Sequence, residues 1–343
     1  KGVSLQVEHK RKNGDPYYLT SNVLIMGSLL SAGNHLYLDR DSPVWESALS
    51  ALLEVISQLQ ETYQVTASML RDFDSGKDDK LDSIFVENGY FKISMPDNHL
   101  IRLTDWNTKE EFLQILTKRS KRHIKQDVFR HEYKYEIEIA QGAHSENILH
   151  WYKLYLNVKE RSCVLNTFTL PFKVFENMVK SSDWEILIFK LKPEFDTNGE
   201  RNPVAVAFNY ITDRSYNFMI VGIDYRFQQE HKCYKQTIYQ VLHRARRLKK
   251  EIVNLGYSAS LEKQKFGANV VHSVGYMQTK DNYSLEVLSS VNVANREGGD
   301  IQLLIKKEQE GNQQINATNK GRILPVQLSV PGKFNSRKRD IFT

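Results

Sequence analysis

The chain has 343 residues, 41% hydrophobic and 26% charged, with only 17 Gly and 8 Pro, which is apolar material enough for substantial cores. Disordered, collagen-like and small disulfide-stapled proteins are excluded, and at about 100 to 200 residues per domain the length suggests two domains. A net charge of +6, from 47 Lys and Arg against 41 Asp and Glu, permits an anionic partner without requiring one. The two cysteines, Cys163 and Cys233, form neither a disulfide framework nor a metal spacing. A reducing, cytoplasmic location is expected, with contact at the inner membrane face as a variant. The longest apolar runs, such as 22–30, fall far short of the roughly 20 residues that cross a bilayer.

In chain order, strands are predicted at 3–10, 17–27 and 35–39, then a helix over 43–63 whose Leu49, Leu52, Leu53, Ile56 and Leu59 form one apolar face. A strand at 64–73, a helix at 80–88 and a strand pair within 90–103 follow. The run KRSKRHIKQDVFR (118–130) falls largely within a predicted helix over 108–128, with Lys118, Arg122 and Lys125 on one face. It reads as a solvated bridging helix with Ile115, Ile124 and Val128 inward, or as a contact for nucleic acid or anionic lipid.

After it come a strand at 133–140, a helix over 145–161 with Ser145 as N-cap, and a helix from Pro171 carrying Phe172, Phe175 and Val179 on one face. Strands at 184–191, 203–211 and 215–223 follow with short antiparallel connections. A long helix over 232–250, a strand at 251–255, a short helix at 260–266 and strands at 270–279 and 283–288 complete the series. The rest, from 292, is rich in Gln, Asn, Gly and Lys and reads as a mostly flexible tail.

The order strand, helix, helix, three strands, long helix, strand, short helix, two strands resembles the GNAT acyltransferase fold. Within it, LNTFTLP (165–171), GIDYRF (222–227), YKQTIY (234–239) and LGYSASLEKQKFGA (255–268) resemble the CelD/Fem-type branch. Members of that branch often contain two GNAT units, and some are joined to pyridoxal-phosphate acyl-condensing enzymes. The resemblance implies a mixed α/β, tandem GNAT-like fold. Its expected parts are an incomplete first unit at 1–107, a basic bridging helix at 108–132, a complete unit at 133–290 and the tail at 291–343. The first unit matches from its second strand onward. The chain is therefore expected to be a C-terminal piece of a longer product with an upstream fused domain, or to have a naturally incomplete first copy.

In the GNAT fold an acyl thioester lies where the fourth strand splays from the fifth, and its pyrophosphate meets the next helix N-terminus, where free N–H groups attract anions. Carried onto this chain, Val221, Gly222 and Ile223 flank the pantetheine, and a phosphate loop spans 226–235. The usual glycine-rich loop is absent, since no glycine occurs between Gly222 and Gly256. Arg226, Lys232 and Lys235, with Tyr234 beside them, would supply the donor site through side chains. Acyl transfer to an amine needs a base, a polarised carbonyl and a proton for the leaving group. Asp224, Glu262, His231 and Tyr257 are the candidates, while Arg161, Asn166, Tyr225 and Lys263 are candidates for holding the acceptor. Plainer readings stand beside these: a turn or cap for Asp224, a surface carboxylate for Glu262, strand-end packing for Tyr257, and a wet helix face for Lys232 and Lys235.

The resemblance thus implies an N-acyltransferase with acyl-CoA or an acyl carrier protein as donor and a small or lipid-like amine as acceptor. A Fem-like enzyme using aminoacyl-tRNA is the runner-up, and a non-catalytic binding module of a larger enzyme is the alternative of another class. No metal is expected, since the ten histidines are scattered without a third ligand.

Overall fold

The computed structural model describes residues 22–279 except 29–32, 34, 77, 104–105, 143–146, 163–168 and 197–198, and also 9–10, 13–14. The expected strand at 283–288 and the tail lie outside the described residues, as do Ser145 and most of the expected first strand.

Strand β1 (Val23–Met26) pairs in parallel with β2 (Ala67–Asp74). Between them runs α1 (Trp45–Thr62), whose Leu49, Leu53 and Ile56 recur at helical spacing and are buried. Residues 35–39, expected to form a strand, have no ladder partner. Helix α2 (Asp79–Glu87) starts at Asp78, whose carboxylate accepts the Leu81 N–H at 3.0 Å. The expected strand pair within 90–103 is one long strand, β3 (Phe91–Arg102). A register shift between Met95 and Asn98 accounts for the mixed pattern.

The expected continuous helix over 108–128 is broken. Helix α3 (Lys109–Gln114) is opened by a Thr108/Glu111 capping box, and Thr117 turns extended to cap α4 (Lys118–Ile124). The chain then widens through a π turn (Lys125–Phe129) into the single turn α5 (Arg130–Glu132).

Beyond it lie β4 (Tyr135–Gln141), α6 (Ile148–Arg161), α7 (Phe172–Lys180), β5 (Trp184–Leu191), β6 (Ala205–Ile211) and β7 (Ser215–Ile223). The last elements are α8 (Tyr225–His231), α9 (Cys233–Arg247), β8 (Ile252–Asn254), α10 (Ser260–Lys265) and β9 (Asn269–Thr279).

The nine strands among the described residues form one mixed sheet in the order β1-β2-β9-β3-β8-β7-β6-β5-β4. Strand β3 lies between β8 and β9, so strands from the two halves of the chain interleave. Both faces of β5 and β6 are buried, which is why these strands read as continuous apolar runs. Ile186, Ile188, Val206 and Phe208 face α6 and α7, packing with Trp151, Phe175 and Val179. Leu187, Phe189, Ala205 and Ala207 belong to the main core with Ile238, Tyr239 and Leu242 of α9 and with Phe112 and Ile124. A third cluster under α1 joins Leu49, Phe73 and Phe85 to Tyr276, whose ring stacks on Phe85 at 3.7 Å.

One glycine sets a helix distance. A Cβ at Gly222 would lie 2.7 Å from Leu154 Cβ and 2.8 Å from the Tyr155 nitrogen, so α6 crosses β7 at backbone contact there. Gly222→Ala is expected to cost about 1–3 kcal/mol by overpacking, read as a lower midpoint of urea unfolding.

Candidate active site at the parted strands

The sheet opens along β7. Its pairing with β6 runs from Ala205 opposite Ile223 to Ile211 opposite Tyr216, with a register shift that leaves Met219 without a cross-strand partner. Such an extra residue bends and twists a strand. On its other edge β7 pairs with β8 only over residues 215–217. Strand β8 ends at Asn254, and the next amide, Leu255 N–H, donates to the His99 carbonyl of β3 at 2.8 Å. From Phe218 onward the two strands diverge, leaving a V between them. The residues that form one edge of the V belong to the stretch expected to flank a pantetheine.

One arm of the V continues into the loop 256–259, which begins beside the Phe218 carbonyl. Gly256, Ser258 and Ala259 all have positive φ, at 68°, 62° and 49°. Lys263 of α10 holds this strained loop from below. Its Nζ donates to the Gly256 carbonyl at 3.1 Å and to the Tyr257 carbonyl, with the residue only 2% exposed. Burial pulls its ammonium down to about 7. His99 donates from Nδ1 to the same Gly256 carbonyl at 2.9 Å, and burial lowers its proton affinity.

The Tyr257 hydroxyl donates to Asp72 Oδ1 at 3.3 Å, and its pKa is pushed up to about 12 by burial and by that carboxylate. Asp72 is itself buried, with φ of 66° at the register shift in β2, 2.8 Å from Arg71 Nε and 3.8 Å from His35 Nε2. Tyr257 is thereby tied to the first half of the chain.

The other arm leads into α8 and α9. The Arg161 guanidinium stacks over the Tyr225 ring at 4.0 Å, and Val221, Tyr225 and Tyr234 pack on the main core. Burial, with Glu262 and Tyr225 nearby, raises the Tyr234 phenol.

Asp224 caps α8, accepting the Arg226 N–H at 3.0 Å and gripping the Arg226 side chain at 2.6 Å. Burial alone would raise its carboxyl, but the Arg226 hydrogen bonds outweigh it and hold it below its usual range. At the far end of the helix His231 is 2% exposed, with neither ring nitrogen hydrogen-bonded.

The expected phosphate loop at 226–235 is therefore a helix followed by one left-handed residue, Lys232, with φ of 57°. The physical reason lies in two side chains. Asp224 starts an additional helix, and Gln228 Oε1 accepts the Tyr234 N–H at 2.9 Å, occupying an amide that a phosphate would need. Lys232→Gly is expected to stabilise the fold by about 0.5–1 kcal/mol, since a side chain in the left-handed region costs about 1–2 kcal/mol. A raised urea midpoint would verify it.

Beside Tyr234 an ion cluster ties three helices together. Lys235 Nζ lies 2.7 Å from Asp127 and 3.9 Å from Glu262, and His123 sits between the same carboxylates at 3.2 and 3.3 Å. Lys265 also pairs with Glu262. Burial, then Lys235, lowers the proton affinity of His123.

Arg161, Tyr225 and Tyr234 thus come together, with Lys235 and Glu262 next to them, and Tyr257 and Lys263 meet on the loop arm. Arg226, Asp224 and His231 belong to the two ends of α8. Gly222 is pinned beneath α6, and the Ile223 carbonyl accepts from Asn157 Nδ2 at 3.1 Å. Asn166 and Cys163 lie outside the described residues. Sequence reasoning missed Asp72, His99, His123 and Asp127; only the i, i+4 spacing of His123 and Asp127 carried a readable signal.

No protein-family model and no curated protein matches the sequence. Among solved structures, the crystal structure of FemX is similar over 78% of this chain and 82% of that one, with a TM-score of 0.52 at 12% identity. L-PGS from Bacillus licheniformis matches over 71% and 78%, with a TM-score of 0.47 at 9% identity. A tandem GNAT protein from the clavulanic acid biosynthesis pathway matches over 70% and 71%, with a TM-score of 0.43 at 9% identity. The chain has a mixed α/β, GNAT-like fold. No described helix is long and apolar enough to cross a membrane.

Proposed function

We propose that the chain is an N-acyltransferase of the CelD/Fem type, moving an acyl group from an acyl-CoA or acyl carrier protein thioester to a small or lipid-like amine. The parting of β7 from β8 carries this reading, because it frees strand backbone to pair with the amides of an extended donor.

In the reaction the amine nitrogen bonds to the donor carbonyl carbon, the carbon–sulfur bond breaks, the thiolate takes up a proton and the amine loses one. Tyr257 is suited to supply that proton: its raised pKa keeps the hydroxyl protonated at neutral pH, and the O–H, which donates to Asp72 at a long 3.3 Å, would turn from that carboxylate to the thiolate to deliver it. Lys263 acts as a positioning residue that holds the loop presenting Tyr257. Glu262 faces Lys235, Lys265 and His123, which suits it to bracing α10 against α4 and α9.

A second reading, transfer of an aminoacyl group from tRNA to an amine, is favoured by the Tyr234 amide that Gln228 already occupies and by the likeness of fold to FemX. The deciding assay offers acyl-CoA, acyl carrier protein and aminoacyl-tRNA donors to a panel of amines. Amide formation from a thioester supports the first reading, and formation from tRNA alone supports the second. Failure with all three donors would overturn both. In an active pairing, Tyr257→Phe is expected to lower kcat about 100-fold with KM little changed, as for loss of a general acid.

A further inference from the structure

A second cationic site lies outside the V, where α4 passes through its π turn. Gln126, Asp127, Arg130, His131, Tyr133 and Lys134 line a cavity of about 450 Å³. π turns widen a helix locally and recur at functional sites. Arg130 and His131 lie in the single turn α5, and Lys134 follows it in a turn whose N–H donates to the His131 carbonyl at 3.1 Å.

The carboxylates close by are already committed. Asp127 is held by Lys235 at 2.7 Å and by His123 at 3.2 Å, and Glu132 is held by Lys109. Among the described residues, Arg130, Lys134 and Lys232 have no carboxylate within ion-pair distance. The groups that act on His131 are Lys134, Lys232 and His231, which with burial disfavour its protonation, and Asp127, which opposes them. Its Nδ1 is buried without a hydrogen bond, which leaves Nε2 as the ring nitrogen available for a ligand. Arg130 and Lys134 thus line the cavity without an ion-pair partner, Lys134 lying 5.4 Å from the Phe195 ring, while the lining carboxylate Asp127 is taken up by Lys235 and His123.

We propose that this cavity binds a phosphate-class anion, with Arg130 and Lys134 as its charged ligands and His131 as a donor from Nε2. A phosphomonoester and a diphosphate share this chemistry, and the site does not depend on the transferase reading.

Inorganic phosphate and pyrophosphate titrated into the full chain, followed by calorimetry and by the His131 imidazole proton resonances, test it. Saturable binding with an upward shift of the His131 titration is expected. Arg130→Ala with Lys134→Ala should weaken it about tenfold or more, in keeping with loss of hydrogen bonds to a charged group. Pyrophosphate binding at least tenfold tighter than phosphate would identify a diphosphate ligand, and equal affinities a phosphomonoester. No saturable binding by the wild type, or unchanged affinity in a double variant whose thermal unfolding matches wild type, overturns the proposal.

Discussion

Arg244→Met is expected to cost about 3–5 kcal/mol of folding stability, because it leaves a fully buried carboxylate on β5 without its cation. Glu185 of β5 is fully buried, and Arg244 of α9 grips it with two nitrogens at 2.7–3.1 Å while the Tyr216 hydroxyl donates at 2.6 Å. This network ties β5, β7 and α9 into one unit beneath the parted strands. Removing the guanidinium leaves a carboxylate with one neutral donor and no access to water, whereas removing all three polar groups leaves only apolar packing. The variant Glu185→Leu, Tyr216→Phe, Arg244→Met should therefore recover most of the loss. Urea unfolding with linear extrapolation measures both effects. A single variant within 1 kcal/mol of wild type would show that the pair is solvated.

Lys263→Met carries the second large effect, on activity and on pH dependence together. Loss of its bonds to the Gly256 and Tyr257 carbonyls frees a loop with three left-handed residues, and a displacement of about 1 Å at a reacting group costs on the order of 100-fold. We expect kcat to fall by about that factor, with partial rescue by Lys263→Arg.

The pH signature follows from the folded pKa of about 7, below the ordinary lysine value near 10.5. Between those values the unfolded chain holds the proton that the folded chain has released, so the unfolded state binds more protons. This group then makes stability rise with pH from about 7 to 10.5, by at most about 1.4 kcal/mol per pH unit, and penalises the fold below 7. In Lys263→Met that part of the slope disappears. A methionine variant with wild-type kcat and an unchanged slope would sink the assignment.

Most of the elements were legible from one-dimensional pattern. The strand Ser215–Ile223 is observed at its expected bounds, and α1 and α6 fall within two or three residues of theirs, because period-2 and period-3.6 burial are local properties. Where side chains compete with the backbone, the pattern failed. Thr117 broke a predicted helix by capping, and Asp224 and Gln228 converted a predicted loop into α8.

By itself the sequence determined the class of fold, the doubly buried strands and the place along β7 where a site was expected. Only the tertiary structure decided what surrounds that site. The pairing of Tyr257 with Asp72 spans 185 residues and that of Arg244 with Glu185 spans 59. No periodicity records contacts across such separations, because they arise from which strands become neighbours in the sheet. Strand β8 pairs with β3 and β7 alike over residues 252–254, and past it Leu255 follows β3, so the ladder with β7 stops there and the V opens.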